Sequence, residues 1–119
     1  MRYLGLLVSL LLIGCVQTSL PVASTEEAWQ AFGTERALNG SIKLSEASLV
    51  KMSNGSILDE KLYAAYSQGY EVGRAEYCTQ NAYILGVKGK QYLGICDQIS
   101  IWFRDDYNAG RHSMAGGIF

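Results

Sequence analysis

The chain has 119 residues, room for one domain of ordinary size. Hydrophobic residues make up 49% and charged residues 18%, which suits a packed body and excludes a wholly disordered chain. With 10 basic and 11 acidic residues the net charge is -1, and no basic run occurs, so nothing offers nucleic acid an electrostatic footprint.

Arg2 opens the chain, and an uncharged apolar stretch follows from Tyr3 to Ile13. This is the order of a secretory leader, a basic residue and then an apolar core of about 7–15 residues, and it falls short of the ~20 residues a spanning helix needs. The stretch ends Leu12-Ile13-Gly14-Cys15, which resembles the lipobox of bacterial lipoproteins. That resemblance implies cleavage before Cys15 and acylation, with palmitate among the chains, at its thiol and new amine. Two or more acyl chains hold a protein stably to a bilayer, each buried methylene contributing about 0.8 kcal/mol. An ordinary leader cut near Ala23 and a short uncleaved anchor are the alternatives. Val16, not Asp, follows the cysteine, which by resemblance to sorted lipoproteins implies the outer membrane, facing the periplasm. Residues 1–14 are then the leader, 15–24 the lipidated cysteine and a polar tether, 25–111 one periplasmic domain and 112–119 a flexible tail.

The composition is rich in Gly, at 13, and in Tyr, at 8, with a single proline, Pro21. The glycines are interleaved with tyrosines and aliphatics, a pattern for tight turns and close backbone approach in a packed structure. Glu26 to Leu38 reads as a first helix, capped by Ser24 or Thr25, with Trp29 and Phe32 on its buried face and Asn39-Gly40 as its stop. A weaker second helix spans Leu44 to Met52, before the turn signal Asn54-Gly55. The third, Asp59 to Tyr77, carries the clearest pattern: Tyr63, Tyr66, Tyr70, Gly73 and Tyr77 step by three and four along one stripe. Gly69 and Gly73 share that helix's surface, each costing up to ~1 kcal/mol against Ala, so another backbone is expected to approach there.

After Cys78 the pattern changes. Ala82 to Val87 and Gln91 to Cys96 read as two short strands about Lys88-Gly89-Lys90, a β-hairpin. Gln98 to about Ala109 returns to helical spacing. The expected class is α+β, three to four helices packed with one hairpin. Three cysteines leave one over, and with lipid on Cys15 the other two, Cys78 and Cys96, are free to pair in an oxidising compartment. Such a bridge would tie the third helix to the hairpin and is worth about 3 kcal/mol on the chain-entropy account. Two reduced, buried thiols are the alternative.

The runs Tyr66-x-x-Gly69-x-x-x-Gly73-x-x-x-Tyr77-Cys78, Gly86-x-x-Gly89-x-x-Tyr92-x-Gly94-x-Cys96 and Phe103-x-x-x-Tyr107-x-x-Gly110-Arg111 resemble the YfiL-type lipoproteins of enterobacteria, a domain-of-unknown-function family. Trp29-x-x-x-Gly33 and Gly40 extend the resemblance more weakly. It implies a lipid-anchored envelope location and carries no activity across.

Little else in the chain speaks for chemistry. His112 stands alone in a Gly-rich tail, and no ligand set with metal spacing, phosphate loop or nucleophile elbow accompanies it, so neither metal nor cofactor is expected. Asp105 and Asp106 point about 100° apart on a helix and do not converge. Arg74, Arg104 and Arg111 read as surface partners for Glu71, Asp105 or Asp106. Tyr63, Tyr66, Tyr70 and Tyr92 are the candidate partner-contact aromatics, against the alternative that such rings are buried in the core. The expected function is non-enzymatic: an envelope interaction or scaffold module for a protein or the peptidoglycan layer. The alternative is an inhibitor of a cell-wall hydrolase such as lysozyme.

Overall fold

A computed structural model describes residues 20–53 and 58–116. Cys15, the expected leader and the Asn54-Gly55 turn lie outside the described residues. Five helices follow in order: α1 (Glu26–Leu38), α2 (Glu46–Met52), α3 (Glu60–Tyr77), α4 (Ala82–Val87) and α5 (Phe103–Gly116). Side-chain caps start four of them. Thr25, Ser45, Asp59 and Asn81 accept the amides of Ala28, Ser48, Leu62 and Ile84, donors that would otherwise lack partners.

The expected β-hairpin is absent: no strand occurs among the described residues, and the α+β class gives way to an all-helical one. Ala82 to Val87 forms α4, with Ala82, Leu85 and Gly86 buried at helical spacing. Residues 91–102 form a run of turns and irregular backbone. Gly89 does take positive φ, at 70°, but it ends a helix instead of turning a hairpin. The amide of Lys90 reaches the carbonyl of Leu85 and that of Gly89 reaches Gly86, the Schellman closure of a helix end. α1 stops the same way at Asn39-Gly40. α5 begins and ends later than the spacing at Gln98 to Ala109 suggests.

The helices pack as two pairs. α1 and α3 cross where Gly33 faces Tyr66 and Tyr70, Gly69 faces Gln30 and Gly73 faces Thr34. Positions rise together along both helices, so they run in the same direction. The backbones all but touch: a methyl at Gly69 would lie 1.9 Å from the carbonyl oxygen of Gln30, and one at Gly33 2.1 Å from that of Tyr66. The close approach expected at Gly69 and Gly73 is therefore present, and α1 is the partner. An α-hydrogen of glycine lies where that methyl would be, so Cα–H···O contacts, worth ~0.5–1 kcal/mol each, replace side-chain packing there. The Thr34 hydroxyl adds a bond across the pair to the Gly69 carbonyl at 2.9 Å.

α4 and α5 repeat the device. A methyl at Gly86 would meet the Tyr107 carbonyl oxygen at 2.1 Å, and one at Gly110 the Tyr83 carbonyl oxygen at 2.0 Å. In both pairs each glycine sits on the carbonyl three residues before its counterpart. Each pair also has its own core. Trp29, Phe32, Leu49, Leu62, Ala65 and Tyr66 fill the first, with Leu20, Leu44 and Leu58 at its margin. Ala82, Leu85, Tyr92, Ile95, Cys96 and Phe103 fill the second, which Tyr77 enters from the last turn of α3. A disulfide between Cys78, the residue that caps α3, and Cys96 joins the two halves.

Candidate functional site

A cleft of about 600 Å³ opens between the halves. Its floor is the face of α3 that carries Tyr70, Glu71 and Arg74. Ile42 and Lys43, on the segment returning from α1, form one wall, and Leu93 to Ile95, with Asp97 and Gln98, form the other. Leu93 also lines a second hollow, of about 380 Å³, with Gly40, Ser41, Tyr77 and Gln91.

Tyrosine hydroxyls fix both walls. On the first side, Tyr66 Oη accepts the Leu44 amide at 2.9 Å, while Tyr63 and Tyr70 donate to the carbonyls of Leu44 and Ser41 at 3.3 and 2.8 Å. Arg36 Nε donates to the Ile42 carbonyl at 2.7 Å. These bonds hold an irregular stretch in one shape and leave the Ile42 side chain outside, 55% exposed. On the second side, Tyr107 donates to the Lys90 carbonyl at 2.6 Å. Tyr92 Oη donates to Asp97 Oδ1 at 2.6 Å and accepts the Cys96 amide at 3.0 Å. Arg104 grips Asp97 Oδ2 through Nε and Nη2 at 3.0 and 2.7 Å, and its guanidinium lies 5.3 Å from the centre of the Tyr92 ring. With the disulfide, these bonds make residues 90–98 a stiff wall.

Burial dominates the titration of the phenols. It pushes Tyr66, Tyr70 and Tyr77 above the ordinary value, and Tyr92 higher still, where the bond to Asp97 adds to it. Asp97 moves the other way: the bonds it accepts from Arg104, then from Tyr92, hold its carboxyl below the usual range. On the floor, Glu71 takes Arg74 Nη2 at 2.5 Å and has Lys43 Nζ at 4.0 Å.

Of the four candidate contact aromatics, Tyr66, Tyr70 and Tyr92 are buried and Tyr63 is half-buried. Their rings pack in the cores or against one another; what they give the cleft is wall geometry, not a platform. Tyr70 alone among them lines it. Arg74 pairs with Glu71 as its spacing suggests, but Arg104 takes Asp97 instead of Asp105 or Asp106. Ile42, Lys43 and Leu93 carried no motif. Cys78 and Cys96 meet in the disulfide, and His112 is exposed on α5. No group of three or more His, Cys, Asp or Glu side chains that could hold a metal occurs among the described residues.

A family described as protein of unknown function, DUF2799, matches residues 28–112, which hold most of both helix pairs, both walls and the disulfide. The chain belongs to this family. No curated protein and no solved structure matches the chain.

Proposed function

We propose, with membership of this family as the premise, that the chain is a lipoprotein of the YfiL type. Residues 1–14 are its leader, Cys15 its acylated first residue, and the domain hangs from the outer membrane facing the periplasm. Its work is non-enzymatic: the cleft is the surface on which an envelope partner, a protein or the peptidoglycan layer, is held. One observation carries this. The two carboxylates of the cleft, Glu71 and Asp97, are both held by arginines, while its rims present the apolar side chains of Ile42 and Leu93 to the outside. Paired carboxylates are poor acids or bases for turnover, whereas a stiff groove with apolar rims and a polar floor suits recognition.

The location is supported by the lipobox-like Leu-Ile-Gly-Cys and by the disulfide, which persists in oxidising compartments. Leu20 packs against the first core, and Pro21 is half-buried beside it. The helical body adds nothing to the hydrolase-inhibitor alternative.

Photo-crosslinking amino acids at Ile42 and Leu93, with Val72 on an exposed part of α3 outside the cleft as control, test the reading in intact cells. The expected result is one shared adduct from both cleft positions, absent at Val72, on protein that incorporates palmitate and loses it in Cys15→Ser. Adducts at all three positions, or at Val72 alone, would remove the cleft from consideration. Unchanged labelling of Cys15→Ser would remove the anchor.

A further inference from the structure

Between the disulfide and α5 the chain turns with apolar side chains aimed at solvent. Ile99, Ile101 and Trp102 are 50, 75 and 65% exposed, whereas the other tryptophan, Trp29, is buried in the first core. Val22 apart, Ile101 and Trp102 are the most exposed large apolar side chains among the described residues. The backbone beneath them is fixed. The Cys96 carbonyl accepts the amides of Ile99 and Ser100, both at 2.9 Å, and the Ser100 carbonyl accepts that of Phe103 at 3.3 Å. Cys96 is held by the disulfide and Phe103 is buried against Tyr92, so the turn is pinned at both ends. A turn held in this way displays its side chains with little ordering left to do on contact. Neither hollow described above is lined by any of the three.

Charge says what faces this tip. Ile99 to Trp102 carries no ionisable side chain. Of the charges that follow, Arg104 is matched by Asp97, which leaves Asp105 and Asp106 on the first turn of α5 outside any ion pair among the described residues. A tryptophan-bearing apolar tip beside two carboxylates suits the headgroup layer of a zwitterionic bilayer. There the indole settles at the water boundary, and headgroup ammonium ions answer the acids. An anionic surface would repel them. We infer that Ile99, Ile101 and Trp102 dip into a zwitterionic bilayer and orient the domain on it. The inference rests on the anchor at Cys15, which closely precedes Leu20 of the first core in the sequence and keeps the domain at that surface.

The test uses the full mature protein, inserted by its own acyl chains into vesicles of phosphatidylcholine and phosphatidylethanolamine brominated near the headgroup end of their tails. Tryptophan emission should fall roughly twofold against unbrominated vesicles, since one of the two indoles lies at the interface and the other inside the protein. Trp102→Phe, at an exposed site, should abolish the fall, and Ile101→Asp should do the same by placing a charge in the tip. Phosphatidylglycerol added to the vesicles should weaken the quenching. Unchanged wild-type emission, on protein that floats with the vesicles, would overturn the inference and leave the anchor standing. Protein that fails to float would remove anchor and inference together. Quenching that requires phosphatidylglycerol would overturn the choice of surface. Shielding of Trp102 from iodide that grows with protein concentration in detergent micelles would also overturn the inference, by assigning the tip to a second copy of the chain.

Discussion

The α1·α3 pair and the α4·α5 pair are built on one plan and stabilised by different means. Each crosses at a reciprocal glycine contact, and each pins an irregular wall with tyrosine hydroxyls. The first has helices of 13 and 18 residues, enough to bury an aromatic cluster along their length. In the second, α4 has only 6 residues, and a helix that short contributes little by itself. There the disulfide, the Tyr92–Asp97 bond and the Arg104 clamp stand in for the missing length. Where helices are long, packing along them holds the pair together. Where they are short, covalent and polar ties do.

The largest break in that comparison comes from a single methyl at the first crossing. Gly69→Ala sets its Cβ against a backbone carbonyl that cannot rotate away, and should cost about 3 kcal/mol, lowering the melting temperature by roughly 12 °C or more. Gly110→Ala meets an equally close carbonyl, yet its damage should stay within α4 and α5 because the first core is separate. Thermal unfolding followed by circular dichroism distinguishes the two; equal global losses would merge the halves into one unit. Next in size, Tyr92→Phe leaves the buried Cys96 amide without its acceptor and frees Asp97, for a loss of about 2 kcal/mol in urea unfolding. Tyr70→Phe frees only the Ser41 carbonyl and should cost about 1 kcal/mol.

The smallest effects lie in pH. Asp97 titrates lower in the folded chain than in the unfolded one, so its stabilisation is present above pH ~4 and is lost as pH falls through the folded value. It is partly exposed, so the slope should be shallow, and Asp97→Asn should flatten it. The buried phenols shift in the opposite sense. Their contribution is intact below pH ~10 and is lost as pH climbs toward their raised folded values. Absorbance titration should show those phenols ionising only as the fold opens, and Tyr92 should hold its proton to higher pH than Tyr66 or Tyr70.

Much of the first half was legible in the sequence. The Ser24-Thr25 pair and Asp59 marked helix starts, Asn39-Gly40 marked a stop, and the tyrosine stripe with Gly69 and Gly73 marked a crossing, because a long helix displays its period. The second half was misread where local signals are degenerate. Positive φ at Gly89 suits a hairpin tip and a helix end alike, and Ala82 to Val87 is too short to separate the two periods by apolar content. Asn81, which caps α4 through Ile84, was the clue that favoured a helix. The cleft was not legible at all. Its walls are loops whose shape depends on hydroxyls far along the chain, such as Tyr70 on Ser41 and Tyr107 on Lys90.

Amide hydrogen exchange on the mature protein, with the Cys78–Cys96 bridge intact and then reduced, tests most directly whether two separately cored halves meet at a cleft. The account predicts that reduction strips protection from residues 90–102, α4 and α5, while amides at the Gly33–Gly69 crossing keep theirs. Equal loss of protection along α1 and α3 would contradict it, for the molecule would then have one core and no wall to release.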